Sequence, residues 1–354
     1  MDTRQKEMEC ISHLLTRLGF DLEKEQPHIS GERFLASPDK LVLVGKKMDS
    51  GSRVIIKMSR LVKAKQEIRQ EKKIRDILSS LAHFRKAILL PKEVYFGPKG
   101  PYEIFVTEFI PQERVFVSYP LKKQFSIILK MFKAREKFDG NAFEHVFEMF
   151  KTFPFLKAED YLENYKEFQA STLAHYRTSG LEEAMRDGLE TLENNKSIIE
   201  RYSNYLVHTD FAPHNFRINN NSMYTLDCSA FLFGNKYEEL ARLLNYMVVH
   251  NPALEKKLKS YVLKYRGETE YLDLRLMRVY KIGYLLKYYT QSLPKTSYDL
   301  LALTIHRIEF WEEVLRCVMQ DKAVDEKILK AYLKNRDNLR SAEEKNRQRE
   351  FAAA

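Results

Sequence analysis

Between residues 205 and 231 the chain reads YLVHTDFAPHNFRINNNSMYTLDCSAF, and no other stretch constrains the fold as strongly. Its apolar runs YLVH, FRIN and MYTL are too short for helices, and an Asn-rich turn parts the last two, so each reads as a short strand. These strands stand alone in helical surroundings. Residues 120–138, 141–151, 159–178 and 181–202 before them carry apolar side chains at three- and four-residue spacing, and so do 237–249, 252–265, 270–292 and 297–319 after them. The strand ends bear His208, Asp210, Asn215 and Asp227. An Asp and an Asn in a turn can serve local Asx hydrogen bonds alone, so this pattern gains force only from what lies elsewhere in the chain.

The first third has a different texture. Residues 3–19 place Ile11, Leu14, Leu15 and Leu18 on one helical face. Strand-like runs follow: RFLASPD, KLVLVGKK and RVIIKMS, the last two joined at the Asp-Ser-Gly-Ser turn of residues 49–52. Residues 63–84 return to helical spacing through Ile68, Ile74, Ile77, Leu78 and Leu81, and the runs AILLPKEVYFG and PYEIFVTEFIP then meet at a Gly/Pro turn. The spacing predicts an α+β chain in three parts. Residues 1–110 form a small antiparallel sheet with two helices, 111–330 a mainly helical region, and 331–354 a charged helical tail that loses its apolar stripe. The Phe/Met-rich residues 138–156 read as core of the helical region.

Composition narrows the partners. A net charge of +10 favours anionic molecules. The basic clusters at 60–75, 122–137 and 327–349 read as solvated helix faces, which gives nucleic acid no particular support. Three widely spaced cysteines offer neither a disulfide framework nor a zinc site, and no apolar run reaches the roughly 18 residues of a spanning helix. The amino terminus has no secretory apolar core, so the expected location is the cytoplasm.

The order of sheet, helix, hairpin, helices and then acid-bearing strands resembles the two-lobed protein-kinase-like fold. At HTDFAPHN the resemblance becomes specific, because it fits a His-x-Asp-x-x-x-x-Asn catalytic loop, and LDCSAF occupies the place of the metal-binding aspartate after the next strand. The His-Thr-Asp form and the segment GNKYEELARLL resemble the aminoglycoside phosphotransferase and choline kinase-like family. That resemblance implies transfer of the γ-phosphoryl of ATP, or GTP, to a hydroxyl of a small molecule with Mg²⁺. Asp210 would be the base, His208 would brace the loop, and Asn215 and Asp227 would hold metal. It also implies that Lys57 of RVIIKMS reaches the nucleotide phosphates, paired with Glu67 or, preferably, Glu71. Thr107 would stand near the gatekeeper position, and the backbone of Glu108, Phe109 and Ile110 would meet the base.

The chemistry agrees. Phosphoryl transfer asks for positioning and charge neutralisation, Mg²⁺ wants oxygen ligands, and a buried lysine needs a carboxylate. Two departures stand out: the hairpin has only Gly45 and Gly51 and no GxGxxG, and Thr209 replaces the family's glycine. A nucleotide-binding regulator or scaffold that keeps the fold without catalysis is the alternative.

Overall fold

The computed structural model describes residues 3–26, 40–80, 89–112, 114–137, 149, 151–220 and 222–348. The strand expected over 33–39, the end of the helix at 81–84 and most of the helix expected over 141–151 lie outside them. The chain forms two compact units: Met1–Glu113 with Arg217–Ser229 and Glu343–Gln348, and Arg114–Phe216 with Ala230–Ala342 and Arg349–Ala354. The architecture is the expected α+β one, an antiparallel-sheet unit and a mainly helical unit.

In the first unit, β1 (Phe20–Leu22), β2 (Leu41–Lys47), β3 (Arg53–Ser59), β4 (Glu93–Lys99) and β5 (Tyr102–Glu108) form one antiparallel sheet in the order β1-β2-β3-β5-β4. Side chains alternate between the sheet's faces. Val54, Ile56 and Met58 of β3 join Ile104 and Val106 of β5 in a core with Ile11 and Leu15 of helix α1 (Thr3–Thr16). Ile11 and Leu15 are fully buried, and at about 1.5–3 kcal/mol each they hold a helix too short to be stable alone. The intervening residues, Lys57 and Phe105 among them, serve the other face, where α2 (Val62–Ser80) packs on β3 and β5. Gly45 is required by close approach: a Cβ there would lie 2.8 Å from the carbonyl oxygen of Asp21 on β1.

Arg217–Ser229 adds the hairpin of β7 (Phe216–Asn219) and β8 (Ser222–Thr225), turned through Asn220 at φ 49°. Thr225 donates its N–H to the Leu89 carbonyl at 2.9 Å.

In the second unit, β6 (Tyr205–His208) pairs antiparallel with β9 (Phe231–Gly234). The long helix Glu268–Ser292 packs against Ala158–His175, Glu238–His250 and Tyr298–Met319. Tyr165 is fully buried against two glycines, Gly188 and Gly283, whose missing side chains leave room for its ring. One charged group inside this core is well matched: Glu238 takes Lys281 Nζ at 3.0 Å and the Tyr161 hydroxyl at 2.6 Å. Beyond it, Glu326–Leu339 runs on as a helix and seats Tyr332 flat on Phe310, ring centroids 4.0 Å apart. No helix among the described residues is long and apolar enough to cross a membrane.

Candidate active site

The first unit holds the lysine group. Lys57 Nζ lies 2.5 Å from Glu71 Oε1, 3.8 Å from Asp227 Oδ1 and 3.4 Å from the Leu226 carbonyl. Helical geometry decides between the two candidate glutamates: Glu71 faces the sheet and is 1% exposed, whereas Glu67 is 48% exposed and lies 3.9 Å from Lys40. Burial opposes the Lys57 charge, but Asp227 and Glu71 outweigh it and push the ammonium up from its ordinary value. The Glu71 carboxyl is pushed up by its own burial, which Lys57 only partly offsets. Asp227 Oδ1 accepts from the Ser229 N–H at 3.0 Å and the Ser229 hydroxyl at 2.7 Å, which fixes the carboxylate in a short 3-10 turn. Cys228 packs in the core, its thiol pushed up to about 12 by burial and by Glu71.

Thr107 pairs in register with Ile55, two residues from Lys57 along β3. The strand ends at Glu108. Its N–H donates to the Lys92 carbonyl at 2.9 Å, and its carboxylate, instead of its backbone carbonyl, takes the Lys92 N–H at 2.7 Å. Phe109 donates its N–H to the Arg53 carbonyl at 3.1 Å and lies under the Arg53 guanidinium, while Ile110 is buried.

The second unit holds the loop from His208 to Asn215. Asn215 Nδ2 donates to the Asp210 carbonyl at 2.8 Å and to Asp210 Oδ2 at 2.7 Å, so one amide fixes both the loop and the carboxylate. Arg242 Nε donates to Asp210 Oδ1 at 2.8 Å, and His214 Nε2 lies 3.4 Å from Oδ2. The surrounding protein disfavours the Asp210 charge, yet Arg242 and then His214 outweigh it and hold the carboxyl well below the usual range. The Asp210 side chain remains 46% exposed, open to an incoming molecule.

His208 is fully buried, its ring edge-on to Phe231 at 5.0 Å. Its backbone N–H goes to Glu239, whose carboxyl is pushed up to about 7 by burial against the pull of Arg135. Thr209 fits without strain: it is not among the residues at positive φ, and its N–H and hydroxyl both reach the Ala230 carbonyl, at 2.9 and 3.2 Å.

Two groups escaped the sequence reading. Arg242 sits in LARLL, which reads as ordinary helix, and nothing there announces a partner 32 residues upstream. His214 could have been found, since it lies four residues after Asp210 in the same loop.

No protein-family model and no curated protein matches this chain. Solved structures do match. A thermostable mutant of aminoglycoside phosphotransferase APH(4)-Ia, in ternary complex with ADP and hygromycin B, aligns at TM-score 0.59 and 12% identity over 88% of this chain and 98% of its own. The GDP complex of wild-type aminoglycoside 2'-phosphotransferase-IIIa gives 0.61 and 14% over 87% and 98%. Macrolide 2'-phosphotransferase type I gives 0.59 and 12% over 87% and 98%. Identity this low speaks for the fold alone, and that fold is the protein-kinase-like one in the form found in aminoglycoside phosphotransferases.

Proposed function

We propose that the chain is a phosphotransferase that moves the γ-phosphoryl of ATP, or GTP, to a hydroxyl of a small molecule. The observation that carries this reading is the Lys57 group, a nearly buried ammonium held between Glu71 at 2.5 Å and Asp227 at 3.8 Å. Two carboxylates from separate elements converge on this one ammonium, which supports a site that handles phosphate charge. In this reading Lys57 contacts the nucleotide phosphates. Glu71 fixes the direction of the lysine, and Thr107 with the backbone of Glu108, Phe109 and Ile110 borders the base.

Asp227 and Asn215 are the proposed Mg²⁺ ligands, and their atoms suit a hard cation. Ser229 orients the Asp227 carboxylate through Oδ1, and both bonds from the Asn215 amide use its nitrogen and leave its oxygen out of the bonds to Asp210. Among the described residues no group of three or more His, Cys, Asp or Glu could hold a metal, so phosphate oxygens and water would complete the shell. The ion would neutralise charge on the transferring phosphoryl group.

Asp210 accepts the hydrogen bond of the acceptor hydroxyl and takes its proton as the new oxygen–phosphorus bond forms and the bond to the departing nucleoside diphosphate breaks. Its depressed pKa makes it chiefly an orienting base, which suffices for a loose transition state. His208, through its backbone bond to Glu239 and its packing on Phe231, holds the start of the loop. The test is ATP and GTP consumption with a panel of hydroxyl compounds by wild type and Asp210→Asn. A loss of about 10²–10⁴-fold is expected, and equal turnover by the two proteins would remove the proposal.

A further inference from the structure

Arg242 is bound to Asp210 in an unusual way. An arginine whose only task is to hold a carboxylate commonly uses two N–H groups side by side. Arg242 uses Nε alone, at 2.8 Å, and no other hydrogen bond of its side chain is found among the described residues. Its terminal nitrogens therefore form an unspent planar fork beside Asp210, on a side chain 21% exposed.

The helix Glu268–Ser292, packed against that of Arg242, carries aromatic and basic groups. Tyr284 on it is 49% exposed, and its ring stands edge-on to Phe168 at 5.5 Å. Its phenol is pushed up by burial and then by the charge of Asp210, with Arg242 opposing. Lys281 Nζ is 5.6 Å from the Tyr284 ring centre, and His214 is on the far oxygen of Asp210. The carboxylates of the Arg242 helix are committed elsewhere, Glu238 to Lys281 and Tyr161, and Glu239 to Arg135.

We infer that the acceptor is an anionic carbohydrate, a hydroxylated ring carrying one carboxylate or phosphate. The Arg242 fork grips the anionic group, the apolar C–H face of the ring lies on Tyr284, and a ring hydroxyl is left at Asp210. The inference rests on the phosphotransferase reading and gives it a substrate class. Planar oxyanions match the guanidinium fork, and an exposed aromatic ring offers a flat apolar floor. Polyamines are disfavoured, because the Arg242 fork is cationic and the acids of its helix are already paired.

Matched ligands test it by calorimetry on the full chain, with and without AMP-PNP and Mg²⁺: D-glucuronate, glucose 6-phosphate, glucose and glucosamine. At least one of the two anions binds tenfold or more tightly than glucose, glucosamine binds weakest, and the two anions tell carboxylate from phosphate. Arg242→Gln brings the ratio of that anion's affinity to glucose's down to about one. Arg242→Lys, with charge but no fork, keeps part of the preference, and Tyr284→Leu weakens the preferred anion and glucose alike. A merely structural Arg242 would shift all four ligands together, which overturns the inference. So does glucosamine binding as well as the anions, an anion preference that survives in Arg242→Gln, or no binding by any of the four. The same titrations read AMP-PNP affinity and its loss in Lys57→Ala, so failure of the nucleotide site is seen separately from failure of the sugar site.

Discussion

Replacing Glu71 by Gln leaves the size of the side chain and removes the charge opposite Lys57. Taking one partner from a buried ion pair costs about 3–5 kcal/mol, because the remaining charge stays buried. Two features of this site reduce that figure. Asp227 at 3.8 Å and the Leu226 carbonyl at 3.4 Å remain to receive the ammonium, and burial already disfavours the Glu71 carboxylate itself. The expected loss is therefore about 2–3 kcal/mol, a fall of about 3–4 °C in the unfolding midpoint for a chain of this length. Drawn toward Asp227, the lysine would also compete for the proposed metal ligand, and AMP-PNP affinity should fall more in the presence of Mg²⁺ than in its absence. Thermal unfolding by circular dichroism and calorimetric titration read the two effects. The double variant with Lys57→Met, which removes the orphaned charge, should recover about 1 kcal/mol or more relative to the sum of the single losses. An additive cycle, or a Glu71→Gln cost below about 0.5 kcal/mol, would refute the reasoning.

Other consequences can be measured independently. His250 stacks on Tyr246 at 4.1 Å, and burial, then Arg336 and Arg340, push its imidazole down to about 3. The folded state thus binds fewer protons than the unfolded state, whose histidine has pKa 6.5, so this stabilisation is complete above pH 6.5 and is lost as pH falls toward 3. It amounts to on the order of 3 kcal/mol lost by pH 4, and His250→Phe should flatten the decline in unfolding midpoint between pH 6.5 and 4. A methyl group at Gly188 would meet the Tyr165 hydroxyl, and one at Gly283 the ring edge. Each Ala substitution should cost about 1–3 kcal/mol, and Tyr165→Phe should relieve the first but not the second in denaturant titrations. Ser229→Ala removes a bond that orients Asp227 and should raise the Mg²⁺ concentration needed for half-maximal turnover about tenfold, with metal-free nucleotide affinity unchanged.

The two periodicities carried most of the fold into view. Alternation in RVIIKMS separates Val54, Ile56 and Met58 from Lys57, and the structure uses that division for two different faces of the sheet. Three-residue β1 was not legible, since Phe20–Leu22 is a strand only because it pairs with Gly45–Lys47. Helical spacing put Glu67 and Glu71 on one face and could not choose between them, because the choice depends on how far that face tilts to the sheet. At the loop, the HxDxxxxN spacing brought Asp210 and Asn215 into contact as a local turn would. Arg242 shows the limit of such reading: pairing between a loop and a helix packed on it leaves no trace in either stretch alone.

The β7–β8 hairpin has a consequence for how such a protein can be taken apart or recombined. The chain leaves the helical unit after Phe216, contributes thirteen residues to the sheet unit and returns at Ala230. A fragment ending near residue 113 would lack Thr225, Leu226 and Asp227, and with them the bridge to Leu89 and two of the groups around Lys57. Chimeras that exchange the sheet unit with a relative at one crossover should therefore express poorly or lose nucleotide binding, whereas those that carry residues 217–229 along should retain it. A lineage that diversifies its acceptor by shuffling helical parts must do so around this inserted segment, which ties the inheritance of the two units together.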